Sequence, residues 1–264
     1  MQCKKHNSAF WWFILFFSLL VLVFCIYTLL KSMHNTQLIK KEYSNLSQQI
    51  HKQEFEDKKE FKNLHTENKN SKNEARKTNE HLQTILSINS DFAGWLLIPN
   101  TTIDYPVMYN KDNFYLHHDF YKSSSRHGTP FLDAKSMKAP IKSNILIYGH
   151  HMRDGTMFSE LAKYKHQRYF KQHTKITFST LDETATYEIS AVCIVDVETD
   201  SDMFDYLSSS SNTSIHFSKY KRLIEQKQLY ICNNQISEND CLLTLVTCDY
   251  SGKDKRLIVV AKKI

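Results

Sequence analysis

A cysteine, an arginine and a histidine stand at the borders of three apolar segments, and this set of side chains suits acyl transfer through a thiol. Leu242-Leu243-Thr244-Leu245-Val246-Thr247-Cys248 is short, β-branched and aliphatic, and reads as a buried strand. The polar residues around Gly252 mark a turn, and Leu257-Ile258-Val259-Val260-Ala261 is a second buried strand. Cys248 therefore closes one strand and Arg256 opens the next. If the two strands pair, thiol and guanidinium meet at one sheet edge, where a fixed cation favours the thiolate. A third apolar run, Asn144-Ile145-Leu146-Ile147-Tyr148, leads into Gly149, His150 and His151. Taken alone, Cys248 would read as a buried structural thiol. A histidine at a third strand end completes the parts of a cysteine acyl-transfer site.

These residues also resemble a known family. Thr244-Leu245-Val246-Thr247-Cys248 with Arg256 is similar to the sortase signature TLxTC…R. Tyr148-Gly149-His150, with Met152, Asp154-Gly155 and Met157-Phe158, resembles the class B form of the sortase histidine motif. The resemblance covers residues 89–264, with the motifs in the family's order. It implies a membrane-anchored cysteine transpeptidase of Gram-positive bacteria. Such an enzyme cleaves a C-terminal sorting signal, NPxTN-like or related, after Thr in a secreted protein. It then passes the acyl group to an amine of a peptidoglycan precursor or a pilin.

By this resemblance Cys248 is the nucleophile, His150 the acid/base, and Arg256 the donor that holds substrate and oxyanion. Val246, Thr247 and Asp249 are the expected substrate contacts, the Asp249 backbone N–H being an oxyanion donor. Thiol and imidazole groups at their unperturbed values near 8.5 and 6.5 leave only about 1% of sites as thiolate with imidazolium at neutral pH, which suits a slow and selective transferase. Val246 stands where class B enzymes often carry a small polar residue. His151 stands where Asn is frequent, so two adjacent imidazoles compete for one role. A strand continuing from Asn144 would place Leu146, Tyr148 and His150 on one face and His151 on the other; a bulge at Gly149 would change that. No cofactor is expected and no metal. His117-His118-Asp119 on an extended segment would point to alternate faces and form no ligand set.

Rival chemistries fit less well. A wall L,D-transpeptidase carries its nucleophile in a Ser-His-Gly-Cys-like context, whereas Thr247 precedes Cys248 here. A papain-like cysteine peptidase places its Cys at a helix N-terminus, not at a strand end. A non-catalytic, membrane-tethered binding domain leaves the Cys, His and Arg placements as coincidence.

The elements that must position these residues follow from the rest of the chain. All five Gly and all four Pro lie at or after Gly94, which separates a turnless N-terminal part from a turn-rich C-terminal one. Phe10-Trp11-Trp12-Phe13-Ile14-Leu15-Phe16-Phe17 and the apolar run continuing to Leu30 meet the length of a bilayer span. No A-x-A-like cleavage site follows, so an uncleaved anchor is expected. The expected organisation is a cytoplasmic tail at 1–8, a transmembrane anchor at 9–31, a helical or partly disordered stalk at 32–78 and a catalytic domain at 79–264. Flanking lysines on both sides leave the orientation open; the resemblance puts the catalytic domain outside the cell.

The expected fold is mainly β with peripheral helices (α+β): a sortase-type closed barrel of about eight strands. Leu82, Ile85 and Leu86 mark an N-terminal helix that packs on it. Trp95 to Pro99, Ile103 to Met108, Asp112 to Asp119 and Gly128 to Asp133 read as the β-rich entry. Lys175 to Ser179, Ala185 to Ile189 and Cys193 to Val197 read as three further strands, and Met157 to Tyr164 as a helical turn. Phe217, Tyr220, Leu223, Ile224 and Lys227 mark an amphipathic helix between the sixth and seventh strands. Six cysteines, two of them in or before the span, do not form a disulfide framework. A net charge of +6 suits an anionic wall and membrane surface. No basic patch interleaved with aromatics points to nucleic acid.

Overall fold

The computed structural model describes residues 8–64, 80–133, 144–200 and 214–264. The tail at 1–7, the stalk's end at 65–79 and the first half of the crossing from the sixth to the seventh strand lie outside the described residues. Two compact units separate at residue 46, Met1–Leu46 and Ser47–Ile264.

In the first unit, helix α1 begins; it spans Ser8–Leu64 without a break, so the apolar run and the polar segment after it, as far as Leu64, form one helix. Every large apolar side chain from Phe10 to Leu30 is exposed, as expected of a surface that meets lipid rather than protein. This helix is long and apolar enough to cross a membrane.

In the second unit, eight strands close into a barrel in the order β1-β2-β3-β4-β7-β8-β6-β5. They are β1 (Phe92–Leu97), β2 (Asp104–Met108), β3 (Phe131–Leu132) and β4 (Ile145–Tyr148), then β5 (Lys175–Ser179), β6 (Thr184–Asp196), β7 (Leu242–Cys248) and β8 (Lys255–Lys263). Closure gives every strand a neighbour on each side, although β2 meets β3 at the single pair Met108 with Phe131. Two pairings are parallel, β2 with β3 and β4 with β7. The second is what brings the histidine strand beside the cysteine strand.

The expected strands Ala185 to Ile189 and Cys193 to Val197 are one strand, β6, which pairs along β8 with a register shift between Ile189 and Ala191. The bulge places Ser190 in the middle, which breaks the sequence pattern but not the ladder. The segment read as extended around Asp112 to Asp119 instead contains a 3₁₀ turn, Phe114–Leu116. Asn113, in the left-handed region at φ 52°, turns the chain into it.

Helix α2 (Glu80–Ile88) packs on β1, with Leu82 and Ile85 buried as their spacing predicted. A 3₁₀ helix, Phe158–Lys165, and the short α3 (Gln167–Gln172) follow β4. Helix α4 (Ser214–Lys227) lies between β6 and β7. Its Phe217, Tyr220 and Ile224 share one buried cluster with Leu146 of β4, Leu242 and Val246 of β7, Ile258 and Val260 of β8, and Cys193 and Val195 of β6. Side chains alternate along a strand, so this cluster defines the outer face of the β6-β8-β7-β4 sheet, the face that α4 covers.

Candidate active site

Cys248 is the last residue of β7 and pairs directly with Arg256 of β8, which pairs on its other side with Val195 of β6. Directly opposed residues of an antiparallel pair point to the same face. Alternation from Leu242 and Val246 puts Cys248 on the face covered by α4, and alternation from Val260 and Ile258 puts Arg256 there too. The thiol and the guanidinium therefore share one edge and one face, as the strand ends predict. Cys248 is half-buried and unbridged.

Tyr148, the end of β4, lies level with Val246 in the parallel register and packs against the same cluster. Burial pushes its hydroxyl up to about 12, the Asp133 charge adding to that and the nearby Arg256 charge opposing it. Arg256 gives one N–H, from Nη1, to the Lys255 carbonyl at 3.0 Å.

Past Tyr148 the chain leaves the strand. The Gly149 N–H still donates to the Val246 carbonyl at 3.1 Å, and the Thr247 hydroxyl donates to the Gly149 carbonyl at 2.7 Å. A Cβ at Gly149 would lie 2.6 Å from the ring of the fully buried Phe158, so this close approach requires glycine. The Phe158 N–H donates to the His150 carbonyl at 2.9 Å, and His151 forms a bridge with Met157. The strand alternation expected to separate the two histidines thus stops at Tyr148 and does not decide between them.

Each imidazole is held by a backbone carbonyl, which accepts only and therefore fixes the tautomer. His150 donates from Nε2 to the Leu116 carbonyl at 2.8 Å, leaving Nδ1 as its base. Burial holds this imidazole below its ordinary value, the Leu116 carbonyl opposing that and nearby His117 and His127 reinforcing it. His151 donates from Nδ1 to the carbonyl of Cys248 itself at 2.9 Å. Its ring lies on that of Tyr250 at 4.4 Å, and the Tyr250 hydroxyl donates to the His151 carbonyl.

The expected substrate contacts are otherwise occupied. Val246 is 1% exposed and belongs to the cluster under α4. Thr247 is 2% exposed and spends its hydroxyl on Gly149. Asp249 is 2% exposed, and its carboxylate forms an ion pair with Lys165 and accepts the Ser251 N–H at 2.9 Å. Burial alone would raise that carboxyl; Lys165 and Ser251 outweigh it and hold it low. The Asp249 N–H, expected as an oxyanion donor, donates to the Lys255 carbonyl at 2.9 Å. That is the ladder bond closing the β7–β8 turn.

The site also rests on residues that no sequence motif marked. Leu116 reaches His150 through its backbone, which side-chain patterns do not report. Gly128, at φ 59° in the loop before β3, lets that loop approach: a Cβ there would meet the Leu116 carbonyl oxygen at 2.7 Å. His127, whose side chain is 1% exposed, bonds through Nε2 to Asp154 at 2.7 Å. Of the histidines set aside as metal ligands, His118 donates from Nδ1 to the Phe114 carbonyl at 2.8 Å and stacks on that ring. Asp119 accepts the N–H groups of Tyr121 and Ser123, so this run is built into its own turn.

A closed mixed barrel with a cysteine and an arginine paired at adjacent strand ends, and histidines delivered by a parallel neighbour, defines a class of protein: a β-barrel cysteine acyltransferase. The family model described as "Sortase domain" matches residues 96–264. Sortase B of Listeria monocytogenes is 34% identical over 171 residues, 64% of this chain and 68% of that protein. Sortase B of Staphylococcus aureus is 28% identical over 185 residues, 69% of this chain and 74% of that protein. Among solved structures, Clostridium perfringens sortase B superposes with a TM-score of 0.62 at 32% identity, covering 69% of this chain and 99% of that one. A Staphylococcus aureus sortase B–substrate complex gives 0.67 at 25% identity, covering 88% and 98%. The chain belongs to the sortase family, as a cysteine transpeptidase of the B type.

Proposed function

We propose that this sortase cleaves an NPxTN-like sorting signal after its Thr in secreted proteins and transfers the new acyl end to an amine of a peptidoglycan precursor or a pilin. Its anchor is α1, with the catalytic unit on the extracellular side. The observation that carries the reading is the direct cross-strand pairing of Cys248 with Arg256 on one sheet face, beside the strand that delivers His150.

The Cys248 thiolate attacks the Thr carbonyl carbon, and the electron pair moves onto oxygen. Arg256 donates charge-assisted hydrogen bonds to that oxygen. Collapse breaks the C–N bond, His150 as imidazolium protonates the leaving amine, and a thioester remains on Cys248. The incoming amine attacks the thioester, His150 takes its proton, and the thiolate leaves. With Nε2 committed to Leu116, the proton moves at Nδ1 of His150. A neutral resting imidazole suits the second step, where a base is needed.

The test offers the full chain in detergent a panel of sorting-signal peptides together with an amine acceptor such as triglycine. One signal is expected to be cut after Thr, with transfer to the acceptor and a covalent intermediate released by hydroxylamine. Cys248→Ala is expected to abolish both steps. Arg256→Lys is expected to lose on the order of 100-fold in kcat/KM, because an ammonium lacks the planar fork of donors. Turnover retained in Cys248→Ala would overturn the assignment of the nucleophile, and near-native turnover in Arg256→Lys that of the oxyanion donor.

A further inference from the structure

We infer that His151 is a positioning residue, which sets the orientation of the Cys248 thiol by holding the carbonyl of the same residue; this rests on the reading of Cys248 as nucleophile. Cys248 ends its strand, and beyond it the ladder bond to β8 is made by the Asp249 N–H. The Cys248 carbonyl receives the Nδ1–H of His151 at 2.9 Å instead. That contact spans from the end of β4 to the end of β7, across the parallel pair whose last ladder residues are Tyr148 and Val246.

The clamp closes on itself. Tyr250, two residues beyond the nucleophile, returns its hydroxyl to the His151 carbonyl and lays its ring on the imidazole at 4.4 Å. On the other side His151 is fixed by its bridge with Met157, a buried residue. Rotation of the Cys248 peptide would swing Cβ, and with it the sulfur, relative to Arg256. The carbonyl bond opposes that rotation. Misplacement of a reacting atom by about 1 Å costs up to 100-fold in rate, so a tether on the nucleophile's own peptide acts on kcat more than on substrate affinity.

The role needs a donor, not a titrating group. The amide of Asn carries a donor at nearly the distance of Nδ1 from the backbone, whereas Ala carries none and neither can relay a proton. In the full chain, His151→Ala is therefore expected to lower kcat about tenfold with KM little changed, and His151→Asn to restore most of the rate with the acidic limb of the pH profile unmoved. Tyr250→Phe keeps the ring and loses the hydroxyl; a smaller loss in kcat with the same pattern is expected.

Alkylation of Cys248 by iodoacetamide reads the thiol without any sorting peptide. It is expected to slow in His151→Ala and to recover in His151→Asn. Failure of all peptides in the wild type, with that alkylation pattern intact, would remove the proposed substrate and leave the positioning role standing. His151→Asn as inactive as His151→Ala, with the acidic limb lost, would instead make His151 the acid/base. Wild-type kcat and alkylation in both substitutions would show that the contact positions nothing.

Discussion

Burial holds the His150 imidazole below the ordinary histidine value; the Leu116 carbonyl pulls the other way, and His117 and His127 add to the depression. A histidine whose folded value lies below its unfolded one binds its proton more readily when unfolded. Its contribution to stability is present above the unfolded value near 6.5 and is lost as pH falls through the folded value. The same shift governs rate: the acidic limb of kcat/KM for a sorting peptide is expected below about 6.5. A pH–rate profile with its acidic limb at or above that value would assign the limb to another group. His151→Asn should leave the limb in place, whereas His150→Ala should remove turnover with it.

Elements, not single residues, explain why Cys248 and Arg256 meet beside the end of β4. The β7–β8 hairpin aligns Cys248 with Arg256, and the parallel β4–β7 pair aligns Tyr148 with Val246. At the start of β2 a different junction secures the C-terminal part of α1. Asp104 accepts from the Ser47 hydroxyl at 2.5 Å, from the Trp95 indole N–H at 2.6 Å and from His51 Nε2 at 2.9 Å. Trp95 is 3% exposed, so its N–H depends on this partner. Asp104→Ala is expected to cost about 2 kcal/mol, because a charged acceptor is lost and a buried donor is left unpaired. Urea unfolding measures that loss, and limited proteolysis should cut the Ser47–Leu64 part of α1 faster. Unchanged unfolding and cleavage would show that the junction contributes nothing.

Across the whole molecule, the apolar N-terminal helix and the barrel present different surfaces. The large apolar side chains from Phe10 to Leu30 are exposed, while the barrel buries its own apolar faces between strands and under α4. The full chain is expected to partition into detergent, and a chain lacking residues 1–31 to move to the aqueous phase, with kcat/KM for a soluble peptide changed by no more than about twofold. Persistence of the shortened chain in the detergent phase would locate the membrane-binding surface on the barrel unit.

Residue order alone determined much of this protein. The apolar N-terminal helix, the barrel strands, the helix between β6 and β7 and the meeting of Cys248 with Arg256 are local patterns: an apolar stretch of bilayer length, short β-branched runs and a turn between two of them. Such patterns report backbone conformation and which face is apolar. Tertiary structure decided what they cannot carry. The Ser190 bulge joins two apparent strands into β6 because the partner strand β8 runs past both. The Asp249 carboxylate is held by Lys165, and the Asp249 N–H by Lys255, so the residue after Cys248 supports the turn. The adjacent histidines part because β4 ends at Tyr148 and two backbone carbonyls, those of Leu116 and Cys248, accept their ring protons. Backbone acceptors leave no mark in side-chain identity. Which carbonyl a ring reaches depends on how distant segments close over one another, and packing alone sets that.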